Sequence, residues 1–143
     1  MTVPALKLTA RAVIEGKEVR RDVTGGRPTA VEPGEIVTTT GQSEVTVRPG
    51  GQARLTVQVE RRKGFKGRIP LDVRGLPHGV RVLDIGLNGI LVTEEQTSRT
   101  VVIYCEPWVA PTNHPFVVLA RHEGSGREFA ARSVLLKMAG PEK

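Results

Sequence analysis

The chain has 143 residues and a formal net charge of +6. This length corresponds to about one domain, which can bury a core without disulfides or metals. The single cysteine, Cys105, excludes an intramolecular disulfide and a clustered thiolate metal site. No apolar run approaches the roughly 20 residues that cross a bilayer, and residues 1–13 lack the basic-then-apolar order of a signal peptide. Abundant glycine and proline among aliphatic residues favour many short strands joined by tight turns.

The first predicted element is a β-hairpin over residues 5–24, and a weak internal repeat supports it. The matched segments are Ala10-Arg11 with Ala120-Arg121, and Gly16-Lys17-Glu18-Val19 with Gly126-Arg127-Glu128-Phe129, at an offset of 110 residues. One sandwich module has about this length. The repeat therefore predicts that residues 1–30 are the last hairpin of a preceding module and that residues 31–143 form a second module. The linker is expected within residues 25–36.

The apolar side chains of this hairpin need a partner, because an isolated two-stranded hairpin is marginal in water. These side chains are Leu6, Leu8, Val13 and Ile14. Open strand edges tend to recruit further strands. Two alternatives follow: the hairpin adds to an edge of the sandwich in the same chain, or it mediates self-association with another copy.

The second module is predicted from apolar residues that alternate with polar ones, as they do in half-buried strands. The predicted strands are 44–48, 53–60, 68–74, a strand that starts at Val80, 90–92, 101–105, 116–120 and 129–136. The runs 101–105 and 116–120 are almost continuously apolar, which indicates central strands. Pro70 cannot donate to a ladder and indicates an edge strand or a bulge. No stretch has a convincing helical period.

The pattern of about seven to nine short strands, with turn residues between them, predicts an all-β protein, an antiparallel immunoglobulin-like β-sandwich. The corner Gly75-Leu76-Pro77-His78-Gly79 would carry the chain from one sheet to the other, because both glycines permit positive φ and Pro77 fixes its own φ. We expect Leu76 to close the end of the core. His78 is expected to be solvated rather than to bind a metal, since no partner lies nearby in sequence.

Basic residues concentrate in residues 48–81, where nine of them stand against two acidic residues. The candidate binding residues lie in the turn that follows the second strand: Arg61, Arg62, Lys63, Phe65, Lys66 and Arg68. Such a turn is either a solvated face or a site for an anionic polymer, an acidic glycan or nucleic acid. Single-strand binders usually supply several stacking rings, whereas only Phe65 is present here. We expect Phe65 to fold back onto the end of the sandwich.

Trp108 is the second candidate binding residue, in a connection that contains Pro107, Pro111 and Pro115. An exposed indole there would be a platform for a carbohydrate, whereas a buried one would cap the core. We favour the cap, because sugar-binding faces commonly use more than one exposed ring.

The run VTVRPGGQARLTVQVERRKGFKGRIPLDVRGLPHGVRV resembles the first half of immunoglobulin-like or fibronectin type III-like modules, which occur in tandem in large exported bacterial proteins. The resemblance covers residues 31–138 and rests on turn chemistry. It implies a non-catalytic structural or interaction module, C-terminal in a multi-domain protein, with protein or cell-surface partners. It also implies an extracellular, periplasmic or cell-surface location, although this chain contains no signal peptide.

The sequence predicts no enzyme and no cofactor. None of the serines lies in a Gly-x-Ser-x-Gly context. The only adjacent carboxylates, Glu94 and Glu95, would point apart on a strand or loop, which argues against glycoside cleavage. Cys105 alternates with Val101 and Ile103, so it is expected to be a buried, unreactive side chain.

Overall fold

The computed structural model describes residues 4–29, 32–83, 86 and 89–140, and the described residues form strands and turns without a helix. No helix that could cross a bilayer therefore occurs in this part of the chain. The strands are β1 (Lys7–Ile14), β2 (Lys17–Thr24), β3 (Ile36–Thr40), β4 (Glu44–Val47), β5 (Gln52–Arg61), β6 (Ile69–Arg74), β7 (Val80–Leu83), β8 (Ile90–Val92), β9 (Ser98–Cys105), β10 (Asn113–Arg121), β11 (Glu128–Ala130) and β12 (Val134–Met138). The chain divides into two compact units, Met1–Glu32 and Pro33–Lys143.

The first unit contains one antiparallel hairpin of β1 and β2. Its tight turn consists of Glu15 and Gly16, which both have positive φ, 50° and 76°. Positive φ at both central residues characterises the type I′ turn, whose twist matches that of the two flanking strands. Ile14 therefore pairs directly with Lys17, and the register follows from the turn.

The second unit consists of two sheets. One has the strand order β3-β5-β9-β7, and the other has the order β4-β12-β10-β6-β8, with β11 also paired to β10. In chain order these are the A-B-E-D and G-F-C arrangements of an immunoglobulin-like sandwich, extended by β4 and β8. The predicted fold class is confirmed. One pair, β4 with β12, is parallel rather than antiparallel.

The second unit has ten strands among its described residues, more than the predicted seven to nine. The segment Ile36–Thr40, for which no strand was predicted and whose first residue ends the expected linker, forms β3 and pairs with β5. Its β-branched run IVTTT is the signal that sequence reasoning missed. The predicted strand 129–136 is divided into β11 and β12, which pair with different parts of β10.

The core lies between the two sheets and is almost entirely aliphatic. Leu55, Val57 and Ile103 in the four-stranded sheet are fully buried, as are Val118 and Leu136 in the six-stranded sheet. Cys105 is also buried, as predicted. Burial, assisted by the neighbouring Glu106 carboxylate, raises the pKa of the Cys105 thiol. A thiol with a raised pKa forms less thiolate and is a poor nucleophile.

The predicted positions of three strands can now be checked. Strand β9 lies between β5 and β7, and β10 lies between β12 and β6, so both are central as predicted. The edge position predicted for Pro70 is wrong, because β6 lies between β10 and β8. Pro70 pairs with Leu91 of β8, while the ladder with β10 begins only at Leu71. Pro70 thus takes part in one ladder instead of two.

Candidate interaction surface at the basic turn

The basic turn, residues 61–68, connects β5 with β6 across the end of the sandwich. The Phe65 N–H donates to the Arg62 carbonyl at 3.0 Å. Between them, Lys63 and Gly64 both have positive φ, 52° and 78°. Left-handed backbone at two successive residues reverses the chain sharply and directs Phe65 back toward the strands.

Arg61 is bound to backbone on three sides. Its guanidinium donates to the carbonyl of Gly67 at 2.9 Å, within the turn itself. Two further nitrogens donate to the carbonyls of Gln96 at 2.6 Å and Thr93 at 2.7 Å, in the β8–β9 connection. Arginine is suited to this role because its planar fork presents five fixed donors. Arg61 therefore holds two loops together and has few donors left for a ligand.

Phe65 folds back onto the sandwich, as predicted. Its half-buried ring packs against the core cluster. The imidazole of His122 lies beside it, with ring centroids 4.5 Å apart. These contacts cover part of the ring and leave less of it for stacking by a base.

The other arginines of the turn are held by carboxylates. Arg62 forms a bidentate pair with Glu60 at 2.8 and 3.0 Å. Arg68 contacts Glu123 at 2.6 Å, which links the basic turn to the β10–β11 loop. The hydrogen bond from Arg62 lowers the pKa of the Glu60 carboxyl. Lys63 and Lys66 are exposed and have no ion pair within the described part of the chain.

Part of the basic excess of residues 48–81 is compensated by acidic residues from the C-terminal half, since Arg68, Arg74 and Arg81 pair with Glu123, Glu128 and Glu106. Arg74 binds Asp72 at 2.8 Å and Glu128 at 2.5 Å, across β6 and β11. Its hydrogen bond lowers the pKa of the Glu128 carboxyl. Arg81 pairs with Glu106. The excess of charge in one sequence segment is thus not an equal excess of charge on one surface.

Trp108 lies at the other end of the sandwich. It follows the end of β9, whereas the basic turn follows the end of β5, and these strands are antiparallel. The structure therefore does not bring Trp108 together with the six other candidate residues. The expectation that Trp108 caps the core is wrong, since its side chain is 61% exposed. Val109 is buried in the core instead.

Trp108 instead contacts the glycine-proline corner. Its indole lies beside the exposed imidazole of His78, with centroids 5.1 Å apart. A Cβ on Gly79 would lie 2.6 Å from Cη2 of Trp108 and would also collide with Val109. The corner behaves as predicted: Gly75 and Gly79 have φ of 87° and 84°, and the chain passes from the six-stranded to the four-stranded sheet. Leu76 packs against the core.

An open cleft of about 610 Å³ lies between β6 and β7. Apolar side chains form most of its lining, including Leu71, Val73 and Val82. The charged residues that line it are Asp72, Arg81 and Arg121. Each of them has an ion-pair partner, respectively Arg74, Glu106 and Glu128. All three partners lie outside the lining of the cleft.

No protein-family model and no curated protein matches this sequence. Solved structures do resemble it in fold. The surface layer protein SbsC, domains 1–6, superposes with a TM-score of 0.50 and 17% identity over 88% of this chain. A family 123 glycoside hydrolase from Clostridium perfringens superposes with a TM-score of 0.52 and 6% identity over 76% of this chain. The chain spans only 15% and 28% of those two structures.

A third similar structure is the PapD-like domain 7 of human CEP192, with a TM-score of 0.48 and 11% identity over 82% of this chain and 93% of that domain. At identities this low, the two likenesses with a TM-score of 0.50 or more indicate the β-sandwich fold alone, and the activity has to be argued from the residues.

Proposed function

We propose that this chain is a non-catalytic structural or interaction module of a multi-domain exported bacterial protein, which makes protein or cell-surface contacts. The fold likeness to a surface layer protein supports this assignment, because that structure comprises several domains of one surface protein. The module has a structural role: it separates neighbouring modules and presents surfaces to binding partners.

The observation that carries the proposal is how the polar groups of the sandwich are used. Arg61 is committed to three backbone carbonyls. Arg68, Arg74 and Arg127 are paired with carboxylates on other strands or loops. Exposed pairs of this kind are individually weak because solvent screens them, but each one connects two separate strands or loops. We therefore infer that the basic residues stabilise the module, and the geometry of the turn gives the anionic-polymer alternative no support.

The proposal is tested by locating the protein in the cells that express its gene. An antibody raised against the sandwich should label intact cells, and protease added to intact cells should remove the signal. A cytosolic protein monitored in the same samples should resist the protease until lysis. Labelling that appears only after lysis, together with protease resistance in intact cells, would contradict a surface role.

A further inference from the structure

The N-terminal hairpin has one apolar and one polar face. Residues that pair directly across two strands lie on the same face. The pairs Leu8 with Val23 and Ala12 with Val19 therefore share a face, which is mostly apolar. Ala10 and Ile14 lie on the same face with their partners Arg21 and Lys17. The opposite face carries the pairs Thr9 with Asp22 and Arg11 with Arg20.

Several side chains of the polar face bind one another, whereas the apolar face has no cover among the described residues of this unit. Thr9 donates to Asp22 at 2.7 Å, and Arg20 contacts the same carboxylate at 3.1 Å. By contrast, Leu8 is 58% exposed and Val23 57% exposed. A single layer of two strands cannot bury either of its faces, so the apolar face is built for a second layer.

The internal repeat indicates which structure supplies this second layer. At the offset of 110 residues, Leu6, Leu8 and Ala10 correspond to Phe116, Val118 and Ala120 of β10. These three residues of β10 are at most 2% exposed and face the core of the sandwich. Leu6, Leu8 and Ala10 thus stand where the second unit places core residues, whereas Arg21 corresponds to the buried Ala131.

The polar face follows the same correspondence. Arg121 contacts Glu128 at 3.6 Å between β10 and β11, and the equivalent residues Arg11 and Glu18 contact each other at 3.9 Å. The registers differ by two residues, since Ala120 pairs with Phe129 whereas Ala12 pairs with Val19. A shift of two residues leaves every side chain on its original face.

We propose that the N-terminal hairpin completes a preceding immunoglobulin-like sandwich, encoded immediately upstream, and that its apolar face lies on the opposite sheet of that sandwich. The equivalent place in the second unit is already filled by β10, β11 and β12. A second copy offers too little area: two strands of eight residues present a face of roughly 260 Å², against about 800 Å² per partner in a stable complex. The inference deepens the modular role proposed above and rests on it.

The test compares the present chain with the parent protein extended upstream by about one module length, roughly 100 residues. In the present chain, trypsin should cut rapidly at Arg20 and Arg21, independently of protein concentration. In the extended protein the same cuts should be slower by about 100-fold, because cleavage then requires opening of a packed core. The fragment that contains the second unit should resist trypsin in both samples and serves as an internal reference.

Two substitutions on β1, one on each face of the hairpin, form a matched pair of variants for this test. Leu8→Gln on the apolar face should restore rapid cleavage in the extended protein. Val13→Gln should leave the protection intact, because Val13 lies on the polar face opposite Glu18. If Leu8→Gln also made the second unit sensitive to trypsin, hydrogen exchange at β1 amides would report the hairpin separately.

Several outcomes would overturn the proposal. These are a reading frame without upstream coding sequence, an extended protein that is still cut rapidly, or equal effects of the two substitutions. Protection of the present chain would also overturn it, and its dependence on concentration would distinguish self-association from cover by the chain's own sandwich. None of these results bears on the surface location, so a failure here is distinguishable from a failure of the proposed function.

Discussion

Replacing Leu136 by alanine is expected to lower the free energy of unfolding by about 2–5 kcal/mol. Leu136 is fully buried between the two sheets, in β12. The substitution removes apolar contacts and leaves a cavity in a core that close packing prevents from collapsing fully. Urea denaturation followed by circular dichroism measures the change, and an unchanged m-value would confirm that the same fold unfolds.

The neighbouring Leu135 provides the control. It belongs to the same strand, but its side chain is only half-buried because successive residues of a strand point to opposite faces. Leu135→Ala should therefore cost about 1 kcal/mol or less. Equal losses for the two leucines would mean that the outer face of β12 is packed as tightly as its inner face, and the assignment of the two faces would fail.

The second large effect is expected at the glycine-proline corner, where Gly79→Ala should destabilise the protein by about 2–4 kcal/mol. Gly79 has a φ of 84°, which disfavours any residue with a Cβ. The added methyl group would also collide with Val109 and Trp108. Since Val109 is a core residue, the collision cannot be relieved without repacking the end of the sandwich.

Gly126→Ala is the control that separates the backbone penalty from the cost of the steric collision. Gly126 has a φ of 68°, and a Cβ there would meet nothing within 4 Å. Only the backbone penalty applies, so the loss should be about 1–2 kcal/mol. Thermal and urea unfolding of both variants would measure the difference. A Gly79→Ala variant as stable as Gly126→Ala would contradict the packing of Trp108 and Val109 over the corner. Tryptophan fluorescence should change in Gly79→Ala alone.

Sequence reasoning reached the fold because period-two alternation is a local property. Val57 and Val59 alternate with Gln58 and Glu60, and the structure places the two valines in the core. The corner at residues 75–79 could be predicted for the same reason, since its two glycines and Pro77 act on their own backbone. Strand β3 was missed because its five residues carry a β-branched signal but follow a segment rich in glycine and proline.

The environment of the basic residues was harder to predict, because some of their partners are distant in sequence. Arg68 and Glu123 are 55 positions apart, and Arg74 and Glu128 are 54 apart. Counting charge along a segment cannot reveal such pairs. The burial of Val109 in place of Trp108 was also not predicted. Hydrophobicity favours burial of the larger side chain, whereas the turn in which the Val109 N–H donates to the Glu106 carbonyl directs the smaller side chain inward.

The most direct test concerns the basic turn, residues 61–68. We propose that Arg61 holds this turn to the β8–β9 connection and that the turn is not a site for anions. Arg61→Ala should lower the free energy of unfolding by about 2 kcal/mol, because three carbonyls lose a charged donor. Arg68→Ala, which removes an exposed ion pair and the same charge, should destabilise the protein much less than Arg61→Ala, because solvent screens the pair. Urea denaturation of the two variants beside the parent chain decides the matter. Equal stabilities, accompanied by loss of retention on immobilised heparin in Arg61→Ala alone, would contradict the structural role and restore the binding one.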